Sequence, residues 1–248
     1  MILCYHDVDD GWVSPLAIHP RRFADHCAWL ADSGRVVLLD QVLQQRDPAA
    51  IAGDPRLALT FDDGLAGVHE HALPLLAEHA LPATVYVVAG TLATAGRPVD
   101  WIDGQRPGTV QAMTETQIRE LLDAGIQIGS HTWRHADLTS LDPVECREDL
   151  RRSREFLEDT FGVAVATVAY PRGRNNVVVR RLAREAGYSF GLGLPETPEP
   201  FDCWGVPRTG IYAANGTRAL SVKASPLFFR LRMSPLYPMA RAVVRRLS

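Results

Sequence analysis

The chain has 248 residues, enough for one barrel of alternating strands and helices, which commonly takes about 250. Its 46% hydrophobic and 22% charged residues are the balance of a soluble globular protein, and a net charge of −3 gives no reason to expect nucleic acid as a partner. No apolar run reaches the roughly 18 residues of a membrane-crossing helix. Met1-Ile2-Leu3-Cys4-Tyr5 lacks the basic stretch and long apolar core of a secretory signal, so a cytoplasmic location is expected.

In chain order, short apolar runs alternate with segments of helical period. Strands are predicted at 2–5, 36–39, 57–61, 84–88, 126–129, 165–170, 189–194 and 206–212, and helices near 21–33, 66–79, 115–124, 143–161 and 176–186. Thr114 followed by Gln117 reads as a capping box closed by Gly125, and Asp142-Pro143 as an N-cap with proline at the first helical position. The loop at 90–113, rich in Gly, Pro and Thr, has the length of a lid or substrate wall. Such alternation predicts a parallel sheet with helices outside it, either open or closed.

The polar residues favour closure. His6-Asp7, Asp62-Asp63, His131 and Pro171-Arg172-Gly173 each end a different predicted strand. Chemistry drawn from several strand ends is the habit of a β/α barrel. No G-x-G-x-x-G follows an early strand, so a dinucleotide fold has no support. The expectation is therefore a distorted, TIM-like (β/α) barrel of seven to eight strands.

Four cysteines, Cys4, Cys27, Cys146 and Cys203, form no C-x-x-C pair and read as small buried thiols. Residues 218–248 hold seven basic side chains and no acid, leaving an acidic body of 19 basic against 29 acidic residues. A catalytic domain over 1–217 and a basic, apolar tail over 218–248 follow. The tail either packs on the acidic body or makes peripheral contact with an anionic membrane, although Pro226, Pro235 and Pro238 prevent one long helix.

Two segments carry the chemistry. Leu59-Thr60-Phe61-Asp62-Asp63-Gly64 offers adjacent carboxylates that point in different directions, so one can hold an ion while the other faces water on it. Asp-Asp-Gly is also an ordinary turn at a strand end. Ser130-His131-Thr132-Trp133-Arg134-His135 offers two histidines four apart, which converge if the segment coils into a helical turn. His26, His69, His71 and His79 fall in predicted helices and are assigned to packing or surface.

Taken together, T-F-D-D-G, then S-H-T-x-x-H, then Ala169-Tyr170-Pro171-Arg172-Gly173, each after a strand and in this order, resemble the NodB-homology polysaccharide deacetylases of carbohydrate esterase family 4. Leu81-Pro82-Ala83-Thr84-Val85-Tyr86 and Ala186-Gly187-Tyr188 resemble the flanking text of that family, over roughly residues 2–212. The resemblance implies Asp62 as catalytic base and Asp63, His131 and His135 as ligands of Zn²⁺ or another divalent transition metal. Water on that ion would be the nucleophile, and the backbone N–H of Arg172 an oxyanion donor.

The chain departs from the family at three places. Ala169 stands where the family usually has the arginine that orients the base, and Arg208 is the candidate replacement. Arg172 stands where an aromatic follows the proline, and could meet an anionic group on the substrate. No histidine follows His135, so the usual late acid is missing. Tyr5-His6-Asp7-Val8 resembles the early strand of circularly permuted members, which makes His6 the candidate general acid, with Asp7 on its other ring nitrogen or at the metal. Trp101, Tyr170, Pro171 and Trp204, with Trp133 a further candidate, are expected as walls for a sugar ring.

The implied activity is removal of N-acetyl groups from an amino-sugar glycan or glycan precursor. The alternatives are an O-acetyl carbohydrate esterase, a catalytically degenerate glycan-binding barrel, or a membrane-recruited scaffold.

Overall fold

The computed structural model describes residues 1–45, 50–51, 54–94, 99–102, 110–195, 202–232, 234 and 237. Its main sheet has eight strands: β1 (Ile2–Tyr5), β4 (Ala58–Phe61), β5 (Ala83–Val87), β6 (Gln127–Ser130), β7 (Thr167–Ala169), β8 (Phe190–Gly193), β9 (Val206–Pro207) and β10 (Thr209–Gly210). Every pairing is parallel, in the order β10-β1-β4-β5-β6-β7-β8-β9. The sequences of β1, β4 and β5 are apolar nearly throughout and buried at every position, as a parallel sheet covered on both faces requires.

The two outer strands of that order are one run of chain. Val206 and Pro207 pair with Leu192 and Gly193 of β8, and Thr209 and Gly210 pair with Leu3 and Cys4 of β1. Arg208 alone separates them. The sheet thus curls until its edges meet at a single segment, nearly closing the expected barrel. Position 206–212, predicted as one strand, splits here because its two halves serve different neighbours.

Helices cover the outside where their start and stop signals fall. Pro143–Phe161 begins at Asp142, whose Oδ1 accepts from the N–H groups of Val144 and Glu145, and ends at Gly162 with φ 68°. Glu115–Asp123 carries the predicted reciprocal cap, with Thr114 Oγ1 accepting from the Gln117 N–H and Gln117 Oε1 from the Thr114 N–H. The helix expected at 66–79 winds wide over Val68–Ala72 before Leu73–Glu78; Pro74 has no N–H to continue a regular α-helix through that point.

One expected strand is absent. At 36–39 only Val36 bridges to Leu57, and the chain turns into the helix Leu39–Leu43, whose start is held by the Leu38 N–H donating to Gln41 Oε1 at 3.2 Å. A four-residue apolar run has no period that separates strand from buried helix. A small parallel pair, β2 (Asp7–Val8) with β3 (Ala17–Ile18), was not anticipated.

The segment after the barrel forms two helices, Thr217–Lys223 and Pro226–Arg232, with Leu220, Ala224 and Phe229 buried in the main core. Residues 238–248 of the expected tail, and 95–98 and 103–109 of the expected lid, lie outside the described residues. Among the described residues no helix is long and apolar enough to cross a membrane.

Because Phe229 is 5% exposed, Phe229→Ala is expected to lower unfolding stability by about 3–5 kcal/mol in urea titration. A change within about 0.5 kcal/mol would mean that these helices do not belong to the core.

Candidate active site

Each chemical group stands just beyond the carboxyl end of a barrel strand. After β4, the Asp62 N–H donates to the Tyr5 carbonyl at 3.0 Å, which ties the turn to β1. Asp63 (φ 73°) and Gly64 (φ 63°) then follow in the left-handed region. A Cβ at Gly64 would stand 3.3 Å from the Val87 Cα, so glycine suits both the conformation and the space. After β6, the His131 N–H donates to the Val87 carbonyl at 2.8 Å.

The two histidines do not meet through a helical turn, as their spacing suggested. Thr132 (φ 69°) and His135 (φ 57°) are both left-handed, and the loop is pinned by Thr132 N–H to Ser130 Oγ, His135 N–H to Thr132 Oγ1 and Trp133 N–H to Asp149 Oδ1. That path brings the two imidazoles to 4.8 Å between centroids. Four of the five non-glycine left-handed residues among those described, Asp63, Thr132, His135 and Arg172, sit at this site; backbone strain of this kind costs about 1–3 kcal/mol per residue and persists where surroundings enforce it.

Asp63 Oδ1 lies 3.2 Å from His135 Nε2 and 3.6 Å from His131 Nε2, and all three residues are buried. His131 Nδ1 is 2.8 Å from the Ala169 carbonyl, which can only accept, so Nδ1 carries a proton and Nε2 is the nitrogen turned toward Asp63; burial would lower the imidazole pKa, but Asp62 and Asp63 raise it. Trp101 Nε1 donates to the same Asp63 oxygen at 2.9 Å, and its ring stacks on His135 at 5.0 Å. The expected sugar wall thus also holds a ligand pair in place. Burial pushes the Asp63 carboxyl up, but the two histidines outweigh it and hold it well below the usual range.

Arg208 reaches Asp62 from the barrel seam. Its Nη1 donates to Asp62 Oδ1 at 2.6 Å and its Nη2 to Oδ2 at 2.7 Å, with neither group more than 4% exposed. Arg208 also donates to Thr60 Oγ1. Burial alone would raise the Asp62 pKa, yet the guanidinium brings it down to about 2. In place of an arginine at position 169 on β7, Arg208 reaches Asp62 from between β9 and β10. Cys4, not anticipated, donates its thiol to Asp62 Oδ2 at 3.4 Å. Cys4 lies in β1 and His6 directly follows it, two residues on, and that period of two was the available signal.

His6 lines the same cavity as the carboxylates, and one of its ring nitrogens lies within 4.8 Å of an Asp62 oxygen. Its ring stacks on Tyr212, and its buried Nδ1 has no hydrogen-bond partner. Burial lowers its pKa, so the expected near-neutral histidine is instead held uncharged at rest. Asp7 does not touch it. The Asp7 Oδ1 accepts from the Val8 N–H, and burial raises that carboxyl to about 7.

Four further expectations are corrected. Tyr170 is fully buried with its hydroxyl donating to the Trp204 carbonyl; Trp204 packs on the core with Nε1 donating to the Tyr188 carbonyl. Neither lines the cavity; the Arg184 guanidinium lies over the Trp204 ring at 5.2 Å. Pro171 is likewise buried outside it, although Arg172 and Gly173 beside it do line it. Trp133 carries the Arg152 guanidinium on its face at 3.8 Å and packs on Phe156, also away from the site. The cavity, about 620 Å³, is bounded by Trp101, Arg172 and Tyr212.

Asp63, His131 and His135 present one carboxylate oxygen and two imidazole nitrogens within 4.8 Å of one another, the hard-and-borderline mixture of a three-ligand zinc site. Cys4, His6 and Asp62 are as close, but there Arg208 occupies both Asp62 oxygens and would repel a cation. The first group fits and the second does not.

Fold and site together define a β/α barrel with a metal-ready Asp-His-His group beside a separately clamped carboxylate at its strand ends. The chain belongs to the polysaccharide deacetylase family, whose model matches residues 50–191. That match stops short of β1, so it does not reach the Tyr5-His6-Asp7-Val8 strand. The chain is 27% identical over 204 residues to YxkH of Bacillus subtilis (80% of this chain, 64% of YxkH). It is 28% identical over 174 residues to the peptidoglycan-N-acetylglucosamine deacetylase PgdA of Listeria monocytogenes (70% of this chain, 33% of PgdA). The chain thus spans less than two thirds of either relative. Its fold is that of the Streptococcus pyogenes deacetylase PplD, with a TM-score of 0.71 at 21% identity over 94% of this chain and 97% of PplD.

Arg208→Met is expected to destabilise the fold by about 3–5 kcal/mol, since Asp62 is left as an unpaired buried charge. Asp62, depressed in the folded state, stabilises above about pH 4 and loses that contribution as pH falls toward 2. Without Arg208, burial governs and its pKa rises. The acid limb of the pH–rate profile, near pH 2 when Arg208 is present, should then move upward; an unmoved profile would show that Arg208 does not set the charge of Asp62.

Proposed function

We propose that the chain hydrolyses N-acetyl groups from an amino-sugar glycan or glycan precursor. The observation that carries this reading is the bidentate Arg208–Asp62 clamp beside the Asp63-His131-His135 group in one cavity. It keeps a buried carboxylate ionised and aimed, which a sugar-binding barrel without chemistry has no use for. The likeness to PgdA, a peptidoglycan-N-acetylglucosamine deacetylase, supports the same substrate class.

A divalent ion such as Zn²⁺, held by Asp63, His131 and His135, would supply Lewis acidity to an acyl oxygen and to water. Asp62 takes the proton from the attacking water, and Arg208 fixes the direction in which its lone pairs point. As negative charge gathers on the acetamide oxygen, the backbone N–H of Arg172, set by its left-handed conformation, donates to it. His6, neutral at rest, lies close enough to Asp62 for a single water to pass on the collected proton. His6 then protonates the sugar nitrogen as the C–N bond breaks, giving acetate and free amine.

Purified protein is expected to take up a transition metal, measured by mass spectrometry of metals, and to release acetate from N-acetylglucosamine oligomers. Asp62→Asn should cost about 10²–10⁴ in kcat with metal retained, whereas His131→Ala should lose the metal. Full activity in Asp62→Asn would sink the assignment of the base.

A further inference from the structure

The two helices that follow the barrel meet three different surroundings, and residue spacing sorts their side chains among them. On Pro226–Arg232, Phe229 is buried in the main core, while Phe228 and Arg232, about one turn apart, line the catalytic cavity. Leu227, Arg230 and Leu231, at positions i, i+3 and i+4, share the remaining face. All three are exposed, Leu227 by 77% and Leu231 by 43%. Thr217–Lys223 repeats the arrangement. Leu220 enters the core, Lys223 lines the cavity, and Arg218 and Val222, four apart, are exposed, Val222 by 54%.

Single exposed apolar residues are ordinary, but these are grouped. Of the eight exposed large hydrophobic residues among those described, three lie on these two short helices. The charges beside them have one sign. Residues 218–248 hold seven basic side chains and no acid, against 19 basic and 29 acidic in the rest of the chain. Arg35 adds a cation at the join between the helices, where its Nη2 donates to the Ala224 carbonyl at 2.9 Å. The outer faces are held in place from behind, because Leu220, Ala224 and Phe229 are locked in the core.

Apolar side chains interleaved with basic ones fit a surface that is oily beneath and negative on top. A second copy of this chain fits poorly, because a symmetric contact would set basic residues against basic residues. A nucleic acid backbone fits poorly too, since it offers the leucines nothing to enter. We infer that the outer faces of these two helices dock on an anionic lipid bilayer, with Val222, Leu227 and Leu231 entering the headgroup region and Arg218 and Arg230 meeting lipid phosphates. Lys223, Phe228 and Arg232 belong to the same helices, so a docked molecule holds its catalytic cavity beside the lipid surface. Docking does not depend on the chemistry proposed above.

The test is flotation of the full chain with vesicles of phosphatidylcholine alone and of phosphatidylcholine mixed with phosphatidylglycerol. Partitioning is expected to be at least about tenfold stronger on the anionic vesicles and to weaken as salt is raised. Leu227→Gln combined with Leu231→Gln, which leaves the charge unchanged, should lower it about tenfold. Arg218→Gln combined with Arg230→Gln should lower it as well and flatten the salt dependence. All four side chains are exposed, so both variants should keep the wild-type Tm; a lowered Tm would show this face packed against the protein and overturn docking. Equal partitioning on neutral and anionic vesicles, or partitioning indifferent to either pair of substitutions, would also overturn it. A dimer in sedimentation velocity that the leucine substitutions dissolve would put a second copy on this face and overturn the lipid surface as its partner.

Discussion

The rest of the molecule depends on the ion pair between Asp62 and Arg208. Burying two full charges is expensive, and geometry decides whether their attraction repays it. Here both carboxylate oxygens and both terminal guanidinium nitrogens are engaged, with Thr60 taking a further donor. Arg208 is also the residue at which the chain passes from pairing with β8 to pairing with β1. The charge that keeps Asp62 ionised therefore sits at the seam that closes the barrel. Closure of the sheet and readiness of the carboxylate are one event.

The second organising feature is strain kept local. Asp63, Thr132, His135 and Arg172 adopt a conformation their side chains disfavour, and each follows or ends a strand held in register on both sides. Hydrogen bonds from Ser130, Thr132 and Asp149 enforce the loop after β6. The return is that three ligand atoms from two loops face one point, with Trp101 bracing Asp63 and His135 together.

Much of this was legible in the sequence, for identifiable reasons. Apolar runs closed by polar turns gave β1, β4, β5, β6 and β8 to within one or two residues, and capping side chains placed the helices. The resemblance to the deacetylase motifs implied Asp63, His131 and His135 as one group, and their side chains do converge. Legibility failed where one residue string fits two environments. Val36–Leu39 carries no period, and nothing in 206–212 shows that its halves face opposite neighbours, although a charged Arg208 inside an apolar run was a sign. Tyr170 was misplaced because proximity to a motif does not reveal which way a side chain turns. The sign was Gly191: a Cβ there would stand 2.1 Å from the Tyr170 hydroxyl, so the glycine makes room for the ring. Lys223 and Arg232 lie far from every motif, and only folding of the last helices brings them to the cavity.

The joining of β1 to β10 has a consequence for how the molecule comes into being. Cys4 and His6 are made before the rest of the site, whereas Arg208, which completes the site with them, emerges more than two hundred residues later. Throughout that interval Asp62 has no counter-charge, and the first strand waits with one edge bare. A chain that stops short of Arg208 consequently leaves Asp62 without its guanidinium, and the arrangement is complete only once β1 and β10 lie side by side.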